Sequence, residues 1–302
     1  MTQVTEHTLI PLDCLGVLRA RGDDRKSYLQ SQWTCDLVKL PADQWHFGGH
    51  CDPKGKLIAP FRWLHHGDSI LQLMPKTLLP LEHAALGKYA VFNKVEFDDA
   101  TDAFELYALI GPGLTERFAA WAGNERLRHQ GEQRLLIDGD HGLLLLPKGD
   151  ALPAEVADLP HGEVAAFIAS ELQAGRPWMD AAHSGEFVPQ MLNLDAIGGV
   201  QYDKGCYIGQ ETIARMHFRG GNKRALYVLC GPAGSDAEDA PLEMQVGENW
   251  RRAGTLVAQQ VLGNTRWVTA VMNKSLEADT AFRFGDSPMT LQPLPYPLQS
   301  DA

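Results

Sequence analysis

Apolar positions along the chain recur with two different periods, and the switches between them mark out the elements. Residues 15–21 (LGVLRAR) alternate loosely and read as a strand. Gly22, Asp23 and Asp24 then supply a turn and a helix N-cap, with Tyr28, Leu29 and Trp33 at helical spacing behind them. A β-meander follows over 44–50, 56–64 and 69–74, joined by the Asp52-Pro53-Lys54-Gly55 turn and by a turn over 65–68 that takes in His65 and His66. Residues 75–88 read as a helix with proline in its first turn, and 93–97 as another strand. A similar pattern follows: strand 105–110, a Gly111-Pro112-Gly113 break, helix 114–121, and two strands within 134–146 joined at 138–141. A loop rich in Ala, Pro and acid spans 149–162, and an amphipathic helix over 163–173 ends at Gly175.

After Asn222 the helical period disappears. Strands over 224–230, 254–262 and 265–272 are separated by Gly, Asn and Pro turns, with 231–241 as a loop. This texture predicts a small antiparallel barrel. The expected class is therefore α+β: a module over 1–222 built of two interwoven α+β lobes, then a barrel domain over 223–302.

With 302 residues, 44% hydrophobic and 22% charged, the chain has an ordinary globular composition and length for more than one core. Its 27 Lys and Arg against 38 Asp and Glu leave a net charge of −11, which opposes a broad nucleic-acid groove. The opening MTQVTEHTLIPLD lacks the basic and apolar regions of a secretory signal, and no apolar run approaches the ~20 residues of a membrane span. The cytoplasm is the expected location. The five cysteines are widely spaced without a CxxC pair, and the histidines lack HxH or HExxH spacing. Neither a disulfide framework nor a metal site is expected. Cys14 and Cys230 lie in strand-like apolar runs and read as core. Cys35 reads as structural, and Cys51 as core or facing a cavity.

The segment with chemical character is KGCYIGQE, residues 204–211. Gly205 and Gly209 permit tight backbone geometry and close approach. Cys206 sits beside Lys204 and just before a helix over about 212–217. A helix N-terminus and an ammonium both favour a thiolate, so the cysteine can be reactive. The same residue type also serves as a small buried hydrophobe.

KGCYIGQE resembles the signature of YgfZ-type proteins, which are similar to the folate-dependent aminomethyltransferase of the glycine cleavage system. RGDDRKSYLQ, HCDPKGK, KYAVFNKV, FVPQMLNLDAIGG, FRGGNKRAL and PLPY agree with it, so the resemblance runs nearly end to end. It implies an aminomethyltransferase-like ring of three lobes, two mixed α/β and the last a β-barrel, around a channel for tetrahydrofolate or a derivative. It implies folate contacts at Leu15, Phe167, Gln173, Tyr207, Gln210, Glu211 and Arg215, a key thiol at Cys206, and motif positions at Lys204, Gly205 and Gly209. Lys223, Arg224 and Arg215 are the cations near the motif that would suit the ligand's glutamate tail. The implied role is that of an accessory protein for building or maintaining iron–sulfur proteins, a cluster-dependent tRNA-modifying enzyme among them. The expected partners are folate and iron–sulfur client or assembly proteins, with no direct nucleic acid and no membrane. Two departures bear on activity. The paired acids of aminomethyltransferases read Ala59 and Pro60 here, and the pterin-holding glutamate of an L-E-A-G pattern reads Gln173. The first removes the charge partner of amine transfer, which argues against a glycine-cleavage activity. A one-carbon transferase acting on another acceptor, with Cys206 as nucleophile, is the alternative.

Overall fold

The computed structural model describes residues 7–234, 239–276 and 279–298. The chain opens with β1 (Thr8–Pro11), β2 (Leu15–Arg21) and α1 (Arg25–Gln32), then β3 (His46–Cys51), β4 (Leu57–His66), β5 (Ser69–Pro75), α2 (Leu79–Tyr89) and β6 (Glu96–Asp99). Next come β7 (Phe104–Ile110), α3 (Leu114–Arg117), β8 (Ala122–Gly123), β9 (Leu127–Gln130), β10 (Gln133–Asp138) and β11 (His141–Pro147). Helices α4 (Val164–Gln173) and α5 (Gln210–Arg219) flank a long irregular stretch. The last lobe holds β12 (Arg224–Pro232), β13 (Leu242–Val246), β14 (Asn249–Arg252), β15 (Thr255–Leu262), β16 (Thr265–Asn273), β17 (Phe282–Phe284) and β18 (Ser287–Gln292).

These strands form three antiparallel sheets, in the orders β3-β4-β5-β2-β6, β1-β7-β11-β10-β9-β8 and β14-β13-β17-β18-β12-β16-β15. Alternation along β4 explains how the first sheet is used. Leu57, Ala59, Phe61 and Trp63 point into a core closed by α1 and α2, with Trp33 4.7 Å from the Phe61 ring. Pro60, Arg62 and Leu64 take the opposite face. Leu64, with Leu15, Val17, Leu71 and Leu73 from the neighbouring strands, packs against Leu106, Ala108 and Leu143 of the second sheet and Phe167 of α4. The first two lobes thus share a core. The third sheet curls into a half-barrel around Leu229, Val268, Phe282 and Phe284.

The expected strands 15–21, 56–64, 69–74 and 105–110 are present with small shifts, as are the paired strands over 134–146 and the helix ending near Gly175. Several readings are corrected. The helix expected over 114–121 stops at Arg117, and Phe118 and Trp121 then fold back into an apolar cluster. The strand expected over 93–97 begins at Glu96. His65 and His66 belong to β4 rather than to a turn, and His66 is buried with its Nε2 3.0 Å from the Glu132 carbonyl. Cys51 is fully buried, while Cys14 and Cys230 are only half-buried. The loop expected over 231–241 begins after β12 ends at Pro232, and its residues 235–238 lie outside the described residues, as do 1–6 of the opening segment. Among the described residues, no helix is long and apolar enough to cross a membrane.

Candidate functional site

The KGCYIGQE segment is a loop that runs into α5, anchored residue by residue. Gly209 precedes α5 with a φ of +81°. A Cβ there would lie 2.5 Å from the Asp52 carbonyl oxygen and 2.8 Å from Gly55 Cα. The position needs glycine both for the left-handed turn and for the close approach of the Asp52–Gly55 turn. Lys204 is buried, and its Nζ donates to the carbonyls of Gln30 (2.8 Å), Trp33 (2.7 Å) and Cys35 (2.7 Å). These acceptors lie at and just beyond the end of α1, where helix carbonyls lose their internal donors. Burial pulls the Lys204 ammonium down to about 8, while three acceptors around one nitrogen call for its protonated form. Its charge also lies 4.9 Å over the Tyr207 ring, which is buried too.

With residues 204 and 207 turned inward, Cys206 between them is exposed. It is therefore not a small buried hydrophobe. All three donors of the Lys204 ammonium are engaged by α1 and the segment after it. The other thiols differ from Cys206 in setting. Burial pushes Cys14 up to about 11 and Cys35 to about 12, and raises Cys51 well above its ordinary value.

A cavity of about 540 Å³ opens where the lobes meet. Phe47 of β3 contributes from the first lobe, and Arg126 with the β10–β11 turn (Asp138–His141) from the second. Ser170 and Gln173 of α4 line it, as do Arg176, Ile197 and, from the end of the last lobe, Pro295 and Tyr296. Tyr296 is tied down by its hydroxyl, which donates to the Gly175 carbonyl. Arg126 lies 4.7 Å over the Trp45 ring, and its buried Nε has no hydrogen-bond acceptor among the described residues.

Beneath this cavity lies a chain of charges, buried except for the half-buried Asp138 at its end. Arg62 Nη2 donates to both oxygens of Glu171 (2.9 and 2.7 Å), Arg176 Nη1 donates to Glu171 Oε1 (2.6 Å), and Arg176 Nη2 donates to Asp138. Two guanidiniums and two carboxylates balance. Burial by itself would raise the Glu171 carboxyl; Arg62 and Arg176 overcome it and hold the group at about 2. Burial, reinforced by Arg176, keeps His141 below its ordinary value and hence neutral at pH 7. Two small hollows flank the cluster. One of about 10 Å³ is lined by Phe167 and Trp45, the other of about 20 Å³ by Leu15, Phe47 and Pro60, and Arg62 and Glu171 border both.

The structure divides the expected site residues into two groups. Leu15, Phe167 and Gln173 gather around the central cavity and its hollows. Cys206, Tyr207, Gln210, Glu211 and Arg215 line none of the cavities described here, and Glu211 and Arg215 are exposed on α5. Cys206 itself is exposed on its loop, outside the central cavity. Lys223 and Arg224 are also exposed and do not line this cavity, and the cation on its wall without an ion-pair partner among the described residues is Arg126. Sequence reasoning missed Arg62, Arg126, Arg176, Glu171 and Asp138. The available signal was a single charge in each of two otherwise apolar stretches: Arg62 in LIAPFRWL and Glu171 in VAAFIASEL.

In architecture the chain is an aminomethyltransferase-T-like protein. It matches the crystal structure of glycine cleavage system aminomethyltransferase T from Bartonella henselae with a TM-score of 0.72, at 15% identity, over 96% of this chain and 86% of that one. The family model for the YgfZ β-barrel domain matches residues 222–287. The tRNA-modifying protein YgfZ of Serratia proteamaculans (strain 568) is 38% identical, over 97% of this chain and 94% of its own. That of Yersinia pestis (strain Pestoides F) is also 38% identical, with the same coverage. The chain belongs to the YgfZ family.

Proposed function

We propose that the protein binds a reduced folate in the cavity at the junction of its lobes and acts as an accessory factor for iron–sulfur proteins, including those that modify tRNA. The observation that carries this reading is the cavity itself. Its volume of about 540 Å³ lies in the range of sites for small organic ligands, roughly 300–1,000 Å³. The chemistry of its walls suits a folate. Phe47 offers a flat apolar face, the Gln173 amide can both donate and accept, and the unsatisfied Arg126 suits a carboxylate tail. The tRNA link comes from the relatives, which are named for tRNA modification.

In this reading the exposed Cys206 thiol works apart from the ligand, on a loop held rigid by Lys204, Tyr207 and Gly209, where a client protein can reach it. An accessory role is preferred to one-carbon transfer because the β4 positions that carry the paired acids of aminomethyltransferases are here Ala59, turned into the core, and Pro60. Calorimetric titration with tetrahydrofolate tests the reading. The wild type and Cys206→Ala bind with equal affinity, and Arg126→Glu binds more weakly. Failure of every reduced folate to bind the wild type would overturn it. In cells, Cys206→Ala leaves the protein folded but lowers the activity of iron–sulfur enzymes.

A further inference from the structure

We propose that Arg62 is a gate at the floor of the central cavity: its guanidinium covers the aromatic surface on which a ligand's planar amino-heterocycle would stack, and it holds Glu171, the carboxylate that would receive that ring. The inference rests on the folate reading and deepens it. Arg62, Glu171 and Arg176 are 9%, 2% and 6% exposed, so the group sits inside the ring of lobes and not on its surface. The Arg62 guanidinium carbon lies 5.1 Å from the Phe47 ring and 5.7 Å from the Trp45 ring. The two rings meet edge to face, 5.0 Å between centroids, so a flat, N–H-bearing head group taking the place of the guanidinium could stack on one of them with the carboxylate at its edge.

Three features distinguish a gate from a fixed strut. First, the packing is incomplete. Hollows of about 10 and 20 Å³ remain beside Arg62, each about room for one water molecule at most, whereas settled cores leave few voids. Phe167 borders one and Leu15 the other, and Arg62 lines both. Second, the lock is imperfect. Both bonds to Glu171 come from one nitrogen, Nη2, rather than from the two-nitrogen fork that makes the strongest guanidinium–carboxylate pairs. A 2-amino-4-oxo-pyrimidine edge carries two parallel N–H donors and can supply that fork. Third, Glu171 keeps a partner when Arg62 swings away: Arg176 stays bonded to it at 2.6 Å, so opening the gate does not leave this carboxylate alone.

The experiment compares wild type with Arg62→Met, which keeps apolar bulk without charge or planarity. Probes are 6-methyltetrahydropterin for the head, p-aminobenzoyl-glutamate for the tail, and tetrahydrofolate for both. If the open form is a tenth or less of the wild-type population, removing the gate tightens apparent head-group binding about tenfold or more. Tail binding stays unchanged, and adding Glu171→Gln to Arg62→Met abolishes the gain. Arg62→Lys, which keeps the charge but cannot stack flat, shows a smaller gain of the same sign and serves if Arg62→Met folds poorly. Equal or weaker head-group binding by both variants, with tetrahydrofolate still bound by wild type, overturns the gate and leaves the folate reading standing. Absence of tetrahydrofolate binding in wild type and variants alike overturns both.

Discussion

Replacing Lys204 with methionine isolates what the motif lysine does. Methionine keeps the length and apolar stem but removes three donors. The carbonyls of Trp33 and Cys35 are then left buried without a partner, each at about 1–3 kcal/mol, while the partly buried Gln30 carbonyl can turn to water. The gross loss is about 2–6 kcal/mol. Relief of the buried ammonium acts in the opposite direction, since burial has drawn it from 10.5 to about 8. That relief is about 3 kcal/mol, so from the middle of the range a net destabilisation of about 1 kcal/mol remains, or about 2–3 °C in melting temperature. Urea unfolding at pH 7 followed by tryptophan fluorescence measures it, with Trp33 reporting from the site. The same variant separates anchoring from activation. If the ammonium serves α1, iodoacetamide alkylates Cys206 at an unchanged rate in folded protein, because removing it takes nothing from the thiol. Lys204→Met as stable as wild type, or a drop in alkylation of about fivefold or more, would refute the anchoring argument.

Three further outcomes follow from the same geometry. Gly209→Ala forces a Cβ to 2.5 Å from the Asp52 carbonyl at a φ of +81°, and should lower stability by about 2–4 kcal/mol in thermal melts. Glu171 stabilises the fold through a carboxyl held at about 2 against an ordinary 4.5. That contribution, about 3 kcal/mol, is complete above pH 4.5 and disappears as pH falls towards 2; denaturant titrations across this window should show the slope in wild type and not in Glu171→Gln. Asn193 (φ +57°) brackets the Leu226 backbone, accepting its N–H at 3.1 Å and donating to its carbonyl at 2.8 Å, and so ties the last lobe to the ring. Asn193→Gly, which keeps the left-handed backbone, should cost about 2 kcal/mol for the two orphaned groups, and Asn193→Ala about 1 kcal/mol more for backbone strain, in paired urea titrations.

Much of the element content was legible from local chemistry. The period-2 run of β4, the Asp52–Gly55 turn, the helix that ends near Gly175 and the change of texture after Asn222 are each set by neighbours a few residues apart, and each appears in the structure. β13, β14, β17 and β18 were missed because they are short and carry little alternation. Helix α3 ended early because burial of Phe118 and Trp121 outweighed helical spacing.

The sequence alone determined that Gly209 must hold a tight turn, that KGCYIGQE is the chemically distinctive segment, and that β4 lacks the carboxylates of an aminomethyltransferase. Only the tertiary structure decided who meets whom. It paired β1 with β7 a hundred residues away, turned Lys204 inward to α1 while Cys206 stayed at the surface, and drew buried Arg62, Glu171 and Arg176 together with half-buried Asp138 into one cluster. The reason is one of range. Backbone preference and side-chain period act within a few residues, whereas a buried charge is tolerated only where distant segments bring its counter-charge, and no local pattern records that meeting.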